Sequence, residues 1–152
     1  MVSQRENVST VKLSAEKIAE QQLITAIQIW RGGDYVSAIT LAGAAEEILG
    51  KRLRLLGKEP SFDNIKSAIV ELSLNLGDHD PKTEKRVANL LNQTKNELKH
   101  YAGQEDLEFD LLQDSIELLE RAITNYQMLT GVIHDEMILF WQAVDGAKKK
   151  PT

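Results

Sequence analysis

The chain has 152 residues, of which 42% are hydrophobic and 27% charged; that is enough for one domain with a substantial core and too apolar for a disordered chain. Cysteine is absent, which excludes disulfides and thiolate metal sites and fits a reducing cytoplasm. The formal charge of −5 opposes non-specific attraction of the whole molecule to nucleic acid, so such a role would need a local basic surface.

Helices are expected throughout, because the prolines at 60, 81 and 151 interrupt no apolar-periodic segment and no strand-like alternation with turn chemistry occurs. Residues 1–13 read as a flexible N-terminal segment. A first helix over about 14–31 has Ser14 as its cap. It carries one stripe of Ala15, Ile18, Ala19, Ala26 and Ile29 and a second of Leu23, Ile27 and Trp30. So wide an apolar arc points to burial on two sides, in the bundle and against a second subunit. "RGGD" makes a turn and Asp34 caps a second helix over 34–56, with Ala38, Ala42, Ala45, Leu49, Leu53 and Leu56 inward. Gly43 there leaves room for a close neighbour.

Ser61 is the expected cap of a third helix, 61–77, with Ile65, Ala68, Ile69, Leu72 and Leu76 inward. Asp80 and Pro81 open a fourth, 81–102, whose inner positions are Val87, Leu90, Leu91, Thr94, Leu98 and Tyr101. A fifth starts near 106 and turns Leu111, Leu112, Leu118, Leu119, Ala122, Tyr126 and Leu129 inward. Gly131 either kinks it or separates a last segment bearing Ile133, Met137, Phe140, Trp141 and Val144. Residues 146–152 read as a disordered basic tail, leaving one domain over 14–145. The expected fold is all-α, an up-and-down antiparallel bundle of four to five principal helices. The longest run of large apolar residues, "MILFW", falls far short of a membrane span, so no membrane partner and a cytoplasmic location are expected.

The fourth helix carries the chemistry. Opposite its apolar stripe lie Asn89, Asn92, Asn96 and His100. Asparagine is a weak helix former, and amides supply both donors and acceptors, so this strip suits recognition of a polar ligand. A polar strip is also what any amphipathic surface helix presents. From 82 to 100 there are five bases and two acids, a local excess of +3 that includes Arg86, Lys95 and Lys99. Glu97 and His100 have the Glu-x-x-His spacing of di-iron bundles, but neither His79 nor His134 completes a second copy. No metal and no cofactor are expected.

The hairpin containing "LAGAAEEIL", followed by a late helix carrying "KNELKH", resembles the HEPN (higher eukaryotes and prokaryotes nucleotide-binding) superfamily. The resemblance implies an all-helical, dimerising bundle, and in many members a metal-independent ribonuclease. That family's signature is Arg, four to six residues, then His, with a polar residue after the Arg. The matching positions are Lys95, Asn96 and His100, with Lys95 standing where the family has Arg. By this resemblance His100 would transfer a proton, Asn96 would bind the scissile phosphate or orient His100, and Lys95 would neutralise phosphate charge. Asn89, Asn92, Lys99 and Arg86 would contact nucleic acid. On one helix Lys95 projects about 140° away from His100, so a complete site would form at a dimer cleft. Lysine offers a point charge without the bidentate fork of arginine, which favours binding of RNA or nucleotide over cleavage. The alternative is a non-catalytic bundle that oligomerises or binds a protein partner, as in toxin–antitoxin pairs.

Overall fold

The computed structural model describes residues 9–103 and 106–149, with side chains to 146; residues 1–8 and 150–152, assigned above to flexible ends, lie outside it. Among the described residues there are seven α-helices and no strand. They are α1 (Ala15–Arg31), α2 (Tyr35–Leu55), α3 (Ser61–Asn75), α4 (Thr83–Leu91), α5 (Gln93–Lys99), α6 (Leu111–Thr130) and α7 (Asp135–Lys149). The chain is all-helical, as its periodicity predicts.

Local chemistry sets the ends of α1, α2 and α6. Ser14 Oγ accepts the Lys17 N–H at 3.1 Å, Asp34 Oδ1 the Ser37 N–H at 3.1 Å, and Asp110 Oδ1 the Gln113 N–H at 3.2 Å. Gly131, at φ +68°, ends α6 in the left-handed conformation, so the sequence's two options resolve to separate helices. Helix α7 then runs to Lys149 and overrides the expectation of a disordered tail from 146. Apart from Gly146 the segment consists of competent helix formers, and Met137, Phe140 and Val144 anchor the turns before it.

The fully buried core residues all come from α1, α2, α6 and α7, and Leu98 of α5 packs against them half-buried. Leu23, Ile27, Ile39, Leu49, Leu119, Ile123, Met137 and Phe140 have almost no exposure. Trp30 stands edge-on to Phe140, with ring centroids 4.9 Å apart, and its indole N–H donates to Ser115 Oγ at 2.9 Å. Arg31 pairs with Glu136 at 3.2 Å, tying α7 to the end of α1.

Helices α3, α4 and α5 form an arm between α2 and α6, and several expectations fail there. Helix α3 buries no residue: Ile65, Ile69, Leu72 and Leu76 remain exposed, Leu76 to 80%. The stripe exists but is covered only in part: Ile65 and Ile69 line a cleft against α6, while Leu72 and Leu76 are bare. Pro60 takes the N-cap position in place of Ser61, whose N–H is instead accepted by Asn125 Oδ1 at 2.8 Å. The single fourth helix expected over 81–102 is two helices broken at Asn92, and the supposedly inward Leu90 and Tyr101 are exposed. Leu56 at the end of α2 and Leu112 at the start of α6 are exposed as well.

Candidate functional site

The break at Asn92 has an identifiable cause on α6. A straight helix would offer the Leu91 carbonyl to the amide four residues on. Here Arg121 Nη1 donates to it at 3.0 Å, and Arg121 Nη2 donates to Asn92 Oδ1 at 3.0 Å. The same guanidinium reaches α2, where Nε and Nη2 donate to Glu46 Oε2 at 3.1 and 2.6 Å. Both partners are buried, and Phe62 of α3 lies 5.3 Å from the guanidinium carbon. One arginine thus joins α2, α6, the α4–α5 break and the start of α3. Asn92, expected to contact nucleic acid, is engaged in this joint.

Lys95 forms a second attachment. Its side chain is 9% exposed, and its ammonium lies 3.3 Å from Glu47 Oε1. The stem crosses α2 over Gly43; a Cβ there would stand 2.6 Å from Lys95 Cδ and 2.8 Å from Cγ. The close approach that Gly43 permits is therefore made by a lysine stem. Lys99 adds a longer contact, 3.5 Å to the other Glu47 oxygen. Burial alone would raise the Glu47 carboxyl, but the ammonium groups of Lys95 and Lys99 outweigh it and hold the carboxyl below its ordinary value of 4.5. Thr94 Oγ1 donates to Asp114 Oδ2 at 2.6 Å, a further link from α5 to α6.

The expected site residues therefore separate into two sets. Lys95 and Asn92 face inward and serve the joint. Asn89, Asn96, Lys99 and His100 are exposed along the outer edge of α4 and α5. Lys95 is thus directed against α2, away from His100, and the Lys-Asn-His triad does not converge within one chain. Asn96 and His100 stand on open surface, whereas the recesses beside α5 are lined by Lys95 and Asn92. Arg86 is held locally: its guanidinium lies 3.1 Å from Asp80 Oδ2, 3.7 Å from Asp78 Oδ2, and donates to Thr83 Oγ1 at 3.0 Å. With Lys95, Lys99 and Arg86 all facing carboxylates, most of the local basic excess is neutralised in place.

Beside the joint, a cleft of about 280 Å3 opens between α5 and α6, lined by Ile39, Thr94, Lys95, Asp114 and Arg121 among others. A second, of about 400 Å3, lies between α3 and α6 and includes Ile65, Ile69, Arg121 and Trp141. Among the described residues, no group of three or more His, Asp or Glu side chains is arranged to hold a metal ion. No helix of the described residues is long and apolar enough to cross a membrane.

Sequence reasoning passed over Glu46, Glu47, Arg121 and Asn125. Two adjacent acids inside the otherwise apolar "LAGAAEEIL" were a legible signal, since carboxylates on a buried helix require cationic partners. Arg121 and Asn125, one turn apart beside Leu118 and Ala122, were the matching signal on α6. In comparisons with known proteins, no family model, curated protein or solved structure matches this chain.

Proposed function

We propose that the protein is a HEPN-like helical module that binds RNA or nucleotide through the outer edge of α4–α5, without cleaving it. The reading rests on how that edge is held. Two attachments, the Lys95–Glu47 ion pair and the hydrogen bonds from the buried Arg121 to the Leu91 carbonyl and Asn92 Oδ1, fix a short and poorly apolar segment to α2 and α6. The exposed amides of Asn89 and Asn96 and the imidazole of His100 consequently stand at fixed positions on the outer side of α4–α5, with the Lys99 ammonium beside them, 3.5 Å from Glu47. Such a row of donors and acceptors can meet phosphate and base edges of a single strand. Commitment of Lys95 to Glu47 removes the cation that a HEPN-type cleavage site would place beside the phosphate, which supports binding over catalysis.

The test is fluorescence anisotropy with a labelled single-stranded RNA, alongside a metal-free cleavage assay. His100→Ala and Asn96→Ala should each weaken binding about five- to tenfold, the loss of one or two hydrogen bonds, with unchanged circular dichroism. No binding by the parent protein, or equal binding by both variants, would remove the reading. Cleavage that disappears in His100→Ala would replace it with the ribonuclease.

A second reading has its own observation. Leu72 near the end of α3 and Leu76 just after it are bare, and Ile65 and Ile69 open into the cleft beside them, on a helix with no fully buried residue. This supports a bundle that oligomerises or takes a protein partner through α3. Leu72→Glu would then lower the oligomeric state or abolish partner capture while leaving RNA affinity unaltered.

A further inference from the structure

A third recess, of about 180 Å3, lies where α2, α5, α6 and the first turn of α3 meet. Its wall includes Lys51 and Arg54 of α2, Pro60 and Phe62 at the start of α3, Lys95, and Asn125 of α6. Asn125 has no exposure, and its Nδ2 has no hydrogen-bond partner. The amide cannot be turned around to cure this. Its Oδ1 already accepts the Ser61 N–H at 2.8 Å, and a flip would set donor against donor.

Other donors gather at the same place. Helix α3 begins at Pro60 without a side-chain cap, so its first turn presents amide groups and the positive end of its dipole beside the recess. Lys51 makes no ion pair among the described residues. The two acids of the wall, Glu46 and Glu47, and Asp63 beside it each have a cationic partner. Glu46 receives Arg121, Glu47 receives Lys95 and Lys99, and Asp63 receives two bonds from Arg54 at 2.7 and 2.9 Å. Asn125 Nδ2 and the Lys51 ammonium remain as donors without a protein partner among the described residues, a pair that an oxyanion would satisfy.

Size narrows the class. A water takes about 30 Å3, so the recess holds a tetrahedral oxyanion with some water; it falls below the roughly 300–1,000 Å3 of sites that enclose a whole drug-sized ligand. We propose that this recess binds a phosphate group, either inorganic phosphate or a phosphomonoester whose remainder stays outside, with Asn125 Nδ2, the Lys51 ammonium and the first turn of α3 as donors. The site is separate from the outer edge of α5 and does not depend on RNA binding there.

The experiment follows the Asn125 side-chain NH2 and the Ser61 and Phe62 amides by 15N NMR while inorganic phosphate is added at constant ionic strength. Parallel titrations use glycerol phosphate, and glycerol as the phosphate-free control. Saturable shifts of these signals are expected with phosphate or with glycerol phosphate, the tighter of the two identifying the source, and none with glycerol. Lys51→Gln should weaken the response about tenfold or more, the loss of a charge-assisted hydrogen bond, while Lys12→Gln, outside the recess, should leave it intact. No saturable shift of the Asn125 amide with either phosphate would overturn the proposal. Equal weakening by both lysine variants would do so too, by reducing the effect to net charge.

Discussion

In the body made by α1, α2, α6 and α7, the helices close on apolar side chains, and residues such as Leu23, Leu119 and Phe140 see no solvent. In the arm made by α3, α4 and α5, the buried side chains are Thr83 and Lys95. The body is held by area removed from water, which is non-directional and tolerant of small shifts. The α4–α5 part of the arm is held by a few directed contacts, Arg121 to Leu91 and Asn92, Lys95 to Glu47 and Thr94 to Asp114, with Leu98 as a partly buried apolar contact. Arg121 is itself fixed within the body by Glu46. A buried ion pair adds little net stability over an apolar pair of the same shape, but it is costly to leave half-made. The difference suggests that the arm's position matters more to this molecule than its contribution to stability.

The contrast can be broken most severely at its hinge. Glu46→Ala leaves the Arg121 guanidinium buried without its carboxylate and should cost about 3–5 kcal/mol in urea denaturation. A cost below about 1 kcal/mol would mean that the arginine escapes to solvent and that the joint is not a fixed one. Truncations sharpen the comparison next. Leu119→Ala in the body should cost about 2–5 kcal/mol, while Leu72→Ala in the arm should stay within about 0.5 kcal/mol of the parent, measured in the same way. Comparable losses at the two positions would show that α3 is covered in solution, for instance by a second copy.

The smallest expected effect is on pH dependence. Glu47 has a native value below its ordinary 4.5, so its contribution is full above 4.5 and drains away as pH falls through that lowered value. Thermal melts over this acid range should show the parent losing its advantage over Glu47→Gln, with the two converging at the acid end. A gap that stays constant with pH would detach Glu47 from the account.

The body was legible in the sequence and the arm was not, for physical reasons. Ser14 and Asp34 act within three residues of the backbone groups they cap, and the stripes of α1 and α2 meet one another across a three-residue turn. The break at Asn92 depends on a guanidinium 30 residues away from Leu91, which local propensity cannot register. Periodicity on α3 marks which residues share a face, yet covering that face is a tertiary event, and Leu72 and Leu76 stay bare. Lys95 matched a motif by spacing, whereas its actual role was written on α2, in Gly43 and Glu47. Of the polar strip expected from Asn89, Asn92, Asn96 and His100, three residues are exposed, while Asn92 is drawn into the joint by Arg121 where the helix breaks.

The central claim is that ionic attachments, more than the single partly buried apolar side chain of Leu98, hold α5 against the body. Native-state hydrogen exchange of the parent and Glu47→Gln, with amides resolved helix by helix, tests it most directly. The account predicts that α5 amides open at a lower free energy than those of α1, α2 and α6, and that Glu47→Gln lowers the α5 value by about 1–3 kcal/mol, the cost of leaving Lys95 unpaired, with little change in core protection. If α5 amides exchange only together with global unfolding, and Glu47→Gln shifts every helix alike, the arm is an integral part of the core and the account is contradicted.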